Sequence, residues 1–367
     1  MKKYLFVVPS LSHGGAERVV SILADQTAKS GREAVVAVHF EADDPYAADG
    51  RVRVINLSGL REAQYRERFS APYFLYLIHR LRRVIAEEHP DYILPFLWTT
   101  CIRVDLARRF LQPGPVILQT VRNNPESFPE NRWLKLYRNH LVAKAPGTIV
   151  QTERQKAYFP KRHHDRIHIL PNPVSDEAFG INRTRPKAGY RIVAAGRLER
   201  QKNYPLLIRA FRDVSESQPE IYLEIFGSGS QETALREEIA NLGLEHRITL
   251  KGRSSRLQEI YGEADLYVMT SDFEGMPNTL MEAMACGLPC ISTDCPTGPS
   301  DLIRDGETGL IVPVGDRSGL AKAMAYALEN QADMERMGAA GRKYMQERYR
   351  ADRIGRRLWE LCERIEL

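Results

Sequence analysis

Arg191-Ile192-Val193-Ala194-Ala195-Gly196-Arg197-Leu198-Glu199-Arg200-Gln201-Lys202-Asn203-Tyr204 reads as a buried strand, a glycine turn and the start of a helix, and the chain makes this move twice. The first occurrence is at the amino end. Residues 4–8 are apolar and β-prone, Pro9 to Gly15 is turn chemistry, and residues 16–30 carry Val19, Leu23 and Ala24 at helical spacing before Gly31. A second strand follows at 34–39. A strand–helix–strand start made twice predicts two α/β domains.

Working outward, further strands at 92–96, 116–120 and 148–150, with helical stretches between them, make residues 1 to about 170 one doubly wound parallel domain. The chain turns polar, with Pro and Gly, at 171–173 and again at 183–189, which reads as the linker. Strands at 191–195, 221–226, 248–250, 266–269 and 290–292, with helices from Tyr204, Glu232 and Thr279, then rebuild the same architecture. Domains are therefore expected at 1–172 and 185–350, followed by an amphipathic helix around 354–365. Such sheets bind ligands outside the carboxyl ends of their strands, so a shared cleft is the simplest place for a site.

Composition fits folded domains, at 43% hydrophobic and 27% charged residues over 367. The five cysteines are an odd number in a long chain, which favours reduced thiols over a disulfide framework. Cys286, Cys290 and Cys295 fall close together without a histidine among them and read as packing residues, not zinc ligands. The apolar run at 4–8 ends at Pro9, too short for a signal peptide, and no stretch approaches the roughly 20 apolar residues of a membrane span. A cytoplasmic protein is expected. Residues 1–180 hold 26 Lys+Arg against 19 Asp+Glu, whereas the remainder holds 26 against 28, so the amino-terminal half alone should meet something anionic.

The chemistry concentrates in Glu274-Gly275-Met276-Pro277-Asn278-Thr279-Leu280-Met281-Glu282. Asn278 reads as an N-cap and Gly287 as the left-handed stop of a helix beginning near Thr279. The amides of Thr279 and Leu280 would then face an anion with the helix dipole behind them. Glu274 and Glu282, near the same strand end, would repel a phosphate unless each binds hydroxyls instead. The alternative is that Glu282 favours its own helix start and Glu274 is a solvated acid.

Arg197 and Lys202 follow a strand and its turn at Gly196, so a planar fork and a point charge stand at the cleft mouth, suited to a diphosphate. No Asp-x-Asp pair exists to hold a divalent ion, and no metal or other cofactor is expected. Gly14 and Gly15, and Gly227 with Gly229, could let backbone amides approach phosphates. Neither loop completes a dinucleotide fingerprint.

Gly14-Gly15-Ala16-Glu17-Arg18, Gly196-Arg197 with Lys202, Gly227-Ser228-Gly229 and the Glu274-x7-Glu282 block together resemble the family 4 retaining glycosyltransferases of GT-B fold, across nearly the whole chain. The resemblance implies two Rossmann-like domains facing across a deep cleft, the final helix (351–367) crossing back to the first. It implies that Arg197 and Lys202 bind the donor diphosphate, Glu274 the sugar hydroxyls and Glu282 the ribose. The amides of Thr279, Leu280 and Gly15 would contact phosphates, with Gly275, Met276, Pro277 and Asn278 lining the donor and Arg253 and Leu257 beside the base. Where many relatives carry a histidine facing the sugar, this chain has Arg122 in the segment Gln119 to Pro125. An arginine stays protonated at working pH and is no general base, so the departing phosphate oxygen would take the acceptor proton on the same face, giving retention. Arg122 and Asn123 would orient a substrate, or Arg122 simply closes a helix end.

The stretches Phe96 to Thr100 and Gly298 to Ile303 are similar to those of enzymes that extend lipid-linked oligosaccharides with UDP-linked hexose or N-acetylhexosamine. That likeness makes Trp98, Thr99 and Thr100 candidates for the acceptor, which could be polyprenyl-diphosphate-linked. Residues 61–84 carry six Arg against two Glu with Tyr65, Phe69, Tyr73, Phe74, Tyr76 and Leu77 interleaved. Arg132-Trp133-Leu134-Lys135-Leu136-Tyr137-Arg138 repeats the mix. Each basic residue at an anionic leaflet contributes about 1 kcal/mol, so peripheral membrane contact is one reading. Core aromatics with solvated arginines is the other. Other classes weighed were an epimerase or phosphorolytic enzyme on the same scaffold and a non-catalytic basic module; nucleic acid is not expected as a partner.

Overall fold

The computed structural model describes the chain except for His13, Asp44, Pro45, Ala47, Ala48, Phe69, Phe110, Gln112, Pro113, residues 185–188, Pro219, Leu367 and the side chain of Glu366. Phe69 of the basic aromatic segment and 185–188 of the expected linker thus lie outside the described residues. The chain divides into two compact units, Met1–Pro173 with Ala351–Leu367, and Val174–Arg350.

The first unit runs β1 (Lys3–Val8), α1 (Gly15–Lys29), β2 (Glu33–Val38), β3 (Arg53–Asn56), α2 (Glu62–Arg68), α3 (Ala71–Glu88), β4 (Tyr92–Pro95), α4 (Trp98–Arg108), β5 (Val116–Thr120), α5 (Arg132–Lys144), β6 (Gly147–Val150), α6 (Glu153–Tyr158) and β7 (Ile167–Ile169). Its seven strands are parallel, in the order β3-β2-β1-β4-β5-β6-β7. β1 is buried throughout because both faces are covered. Tyr4, Phe6 and Val8 pack toward α1 and the terminal helix, while Leu5 and Val7 pack toward Leu77 and Leu81 of α3. The strand order reverses between β1 and β4, so the loops after those two strands frame the binding edge.

The second unit runs α7 (Asp176–Gly180), β8 (Tyr190–Ala195), α8 (Tyr204–Ser215), β9 (Ile221–Phe226), α9 (Glu232–Asn241), β10 (Ile248–Gly252), α10 (Leu257–Gly262), β11 (Leu266–Met269), α11 (Asn278–Ala285), β12 (Cys290–Thr293), α12 (Pro299–Leu302), β13 (Leu310–Val312), α13 (Arg317–Glu329) and α14 (Gln331–Arg348). Its sheet is again parallel, β10-β9-β8-β11-β12-β13, with the reversal between β8 and β11. The terminal helix α15 (Ala351–Glu366) belongs to the first unit. There Trp359 donates to Thr27 Oγ1 at 3.2 Å and its ring lies 4.4 Å under the Arg32 guanidinium.

Several expectations change. The second polar stretch is packed at its start, Thr184 donating to Gly262 O at 2.8 Å and Arg183 to the carbonyls of Gly287 and Ala264 at 3.1 Å each, and the boundary between units falls after the first stretch, between Pro173 and Val174. The interfacial reading of 61–84 loses Tyr65 and Leu77, which are core. Leu77, Leu81 and Ile85 turn one face of α3 onto the sheet, leaving Leu75 and Tyr76 exposed. All five cysteines are free and buried, and burial pushes the Cys101 and Cys286 thiols up to about 12, so they are inert packing groups. Among the described residues no helix is long and apolar enough to cross a membrane.

Candidate active site

The second unit assembles most of the singled-out residues at its switch point. The loop after β8 and the loop after β11 are sewn together: Asp272 N donates to Gln201 O at 2.8 Å, Gln201 Nε2 to Phe273 O at 2.7 Å, Asn203 Nδ2 to Asp272 Oδ1 at 2.8 Å, and Thr270 Oγ1 to Lys202 O at 2.9 Å. Asn203 turns the chain into α8 through a left-handed backbone, φ 46°, which asparagine tolerates better than most residues. These polar groups were missed in the sequence. Their signal was the abrupt change from the apolar β11 to Thr-Ser-Asp.

The clasp sets Lys202 against Glu274. Lys202 Nζ lies 2.6 Å from Glu274 Oε1, and Ser271 Oγ donates to the same oxygen at 2.7 Å. Glu274 is 7% exposed, so this is no solvated loop acid. A buried carboxylate requires such partners, since desolvating an unpaired charge costs several kcal/mol. An ammonium has three donors, which leaves Lys202 with hydrogens for a ligand oxygen. Arg197 is exposed and its Nη2 donates to Gln201 Oε1 at 3.4 Å. No ion pair to a carboxylate is described for it, although its charge helps hold the Glu199 carboxyl below the usual range after the Ser230 hydrogen bonds.

α11 begins one residue earlier than expected. Pro277 is the N-cap and Asn278 the first helical residue, with no side-chain cap, so Asn278 does not cap. Proline suits this place because the helix start needs no donor there. Glu282 consequently sits past the first turn, partly buried. The first helical bond runs from Met281 N to Pro277 O at 3.1 Å, and the amides of Thr279 and Leu280 have no acceptor among the described contacts. Thr279 is held by Tyr267, whose hydroxyl donates to its Oγ1 at 2.8 Å. Gly275, Met276 and Pro277 are buried beneath this start.

The glycine loops serve geometry. The amide of Gly196 donates to Phe226 O at 2.9 Å and that of Gly227 to Gly252 O at 2.8 Å, so neither faces a phosphate. Gly227 has φ 149°, and a Cβ there would stand 1.8 Å from Gly196 O. Arg253 is exposed and donates from Nε to Ser228 Oγ at 2.6 Å; Leu257 is the first residue of α10.

In the first unit, Gly14 is the N-cap of α1 and Gly15 its first residue. The Glu17 carboxylate folds over them, so closely that a Cβ on Gly14 would be 2.0 Å from Glu17 Oε2. An anion reaching these amides must first displace that carboxylate. Arg122 and Asn123 follow β5 at the same edge. Trp98 and Thr99, partly exposed, open α4, but Thr100 is buried and spends its hydroxyl on the Phe96 and Leu97 carbonyls, which removes it as an acceptor contact. Among the described residues no three His, Cys, Asp or Glu side chains are grouped as metal ligands would be.

Residues 176–344 match the family "Glycosyl transferases group 1" and residues 13–178 match "Glycosyltransferase Family 4". The chain belongs to the family 4 glycosyltransferases. It is 33% identical over 205 residues to an exopolysaccharide phosphotransferase of Streptomyces coelicolor, a match that takes in 54% of the chain but only 21% of that protein. It is 25% identical over 334 residues, 90% of each chain, to a Campylobacter jejuni α-1,4-N-acetyl-D-galactosaminyltransferase acting on an undecaprenol-diphosphate-linked glycan. In structure it resembles HepE of Anabaena in complex with UDP-glucose, with a TM-score of 0.81 at 18% identity over 98% of this chain and 99% of the other. The fold is GT-B.

Proposed function

We propose that this transferase moves a hexosyl or N-acetylhexosaminyl group, with retention, from a UDP-sugar bound on its second unit to a glycan acceptor bound on its first, the acceptor carried on a polyprenyl diphosphate, and that it needs no metal. The observation that carries this is the grouping of Lys202, Glu274 and the open amides of Thr279 and Leu280 at one switch point. UDP-glucose in HepE and the lipid-linked substrate of the Campylobacter enzyme support the donor and acceptor classes.

In the step proposed, the bond between sugar C1 and the β-phosphate oxygen breaks and the acceptor oxygen bonds C1 on the same face. The acceptor proton passes to the departing phosphate oxygen, and UDP leaves. Arg197, Lys202 and the α11 amides take up the negative charge that grows on that phosphate; one such preorganised donor is worth roughly 3–4 kcal/mol in the barrier. Glu274, fixed by Lys202 and Ser271, presents its remaining oxygen to sugar hydroxyls, and Glu282 serves the ribose. Work at the cytoplasmic face of a membrane is part of the proposal, supported by Trp133 and Leu136, exposed at 69% and 54% beside Arg132 and Lys135.

The test is a donor screen with UDP-, GDP- and ADP-sugars, read as free nucleotide release with and without a lipid-linked glycan. UDP release that requires acceptor supports the reading. Release from another nucleotide alone, or conversion of the donor sugar without any acceptor, overturns it.

A further inference from the structure

Three arginines of the first unit, Arg103 and Arg138 buried and Arg122 partly buried, have no carboxylate among their described contacts, and Arg138 is satisfied. Arg138 donates to Phe128 O at 2.6 Å and to Asn139 Oδ1 at 2.8 and 3.2 Å, and stacks on Tyr158 and Phe159. Arg103 leaves its Nε unpartnered but engages both ends of its fork inside the core, with His39 Nδ1 at 2.7 Å from Nη1 and Tyr65 at 3.3 Å from Nη2. Arg122 differs. Its Nη1 donates to Asn172 Oδ1 at 3.2 Å, an oxygen already taken by Gln151 Nε2 at 2.8 Å. Its Nε is buried without a partner. No contact is described for Nη2, and the guanidinium carbon lies 4.4 Å from the Phe96 ring centroid.

Among the described contacts the groups at Arg122 are neutral: Phe96, Asn172, with Gln151 behind it, and Cys101, whose thiol burial keeps protonated at neutral pH. Burial lowers the Arg122 pKa to about 9, so the cation persists at neutral pH. Its position is the carboxyl edge of the sheet, after β5 and beside the switch point. There α4, eleven residues long, starts directly after Leu97, which holds φ 72°, a conformation rare for leucine and typical of functional sites. The amino end of α4 adds positive potential to the same edge. A partly buried cation with unfilled donors, at the edge where such sheets bind ligands, lacks an anion among the described contacts.

We propose that Arg122 receives an oxyanion of the acceptor substrate, a phosphate or a sugar carboxylate, on the first unit. This rests on the proposed function only in assigning the donor diphosphate to the second unit. A hydroxyl would satisfy one hydrogen of the fork without offsetting its charge, whereas a carboxylate or phosphate matches two.

The experiment is calorimetric titration of the full chain, first with UDP, then at saturating UDP with inorganic phosphate, pyrophosphate, glucuronate or glucose at constant ionic strength. Wild type is expected to bind one phosphate-type anion or glucuronate, and not glucose. Arg122→Gln is expected to bind it about tenfold or more weakly, as for loss of a charged hydrogen-bonded pair. Phosphates alone assign the oxyanion to a phosphate, and glucuronate alone to a carboxylate. Equal anion binding in wild type and variant, no anion binding in either, or a loss of UDP affinity with no second anion site overturns the proposal. If the variant does not fold, the Arg122 Nε–H resonance of the wild-type protein must shift with the anion, and its failure to shift is equally fatal. Absent UDP binding would count against the donor assignment alone, since the anion titration is still readable without UDP.

Discussion

Replacing Lys202 by methionine removes the cation 2.6 Å from Glu274 and leaves a carboxylate that is 7% exposed with only the Ser271 hydroxyl. Breaking a buried pair from one side costs about 3–5 kcal/mol of stability, whereas replacing both members by neutral groups of similar size is often neutral. Lys202→Met and Glu274→Gln should therefore each lower stability, and the double variant should recover most of the loss. Catalysis should not recover. Lys202 is assigned to the departing phosphate, and one such donor is worth roughly 3–4 kcal/mol, a fall in turnover of about 10²–10³-fold. Urea denaturation of the three variants, with steady-state UDP release below their transitions, separates the two effects. A folded Lys202→Met with near-normal turnover refutes the catalytic assignment, and a double variant that regains turnover shows the pair to be structural only.

Gly227→Ala should lower stability by about 1–3 kcal/mol for its backbone conformation alone, with more from the overlap at 1.8 Å with Gly196 O; a melting temperature within a degree of wild type would contradict the packing described. His39 is buried against Arg103, and both hold its pKa well below the ordinary value, with Tyr65 the other group facing Arg103. Because the unfolded chain takes up the proton first, the stability due to His39 is complete above about pH 6.5 and falls as pH drops below it, by up to about 1.4 kcal/mol per pH unit. His39→Gln should remove that part of the acid sensitivity, and parallel curves for variant and wild type would refute it. Activity should persist in excess EDTA, and a loss reversed by magnesium or manganese would refute metal-free transfer.

The doubly wound sheets were legible because most strands are apolar runs bounded by turn residues: residues 116–120, 221–226 and 266–269 are strands to the residue. β3, β7 and β13 were not, since these edge strands are only three or four residues long, too short for a pattern. Within the site, glycines and charges stood out but their partners did not. Nothing in sequence spacing says that Lys202 and Glu274, 72 residues apart, touch, because that contact depends on β8 and β11 being neighbours across the reversal. Gly196 and Gly227 suggested phosphate contact, whereas their amides are taken by the carbonyls of Phe226 and Gly252. Local chemistry was readable; which backbone donors remain open required the fold.

Co-crystallisation with UDP or a non-transferable UDP-sugar asks the question directly. The β-phosphate should lie about 3 Å, hydrogen-bonding distance, from Lys202 Nζ and from the amides of Thr279 and Leu280, with Arg197 turned toward it. Nucleotide density elsewhere, with the α11 amides facing only solvent and Arg197 still on Gln201, would contradict the account.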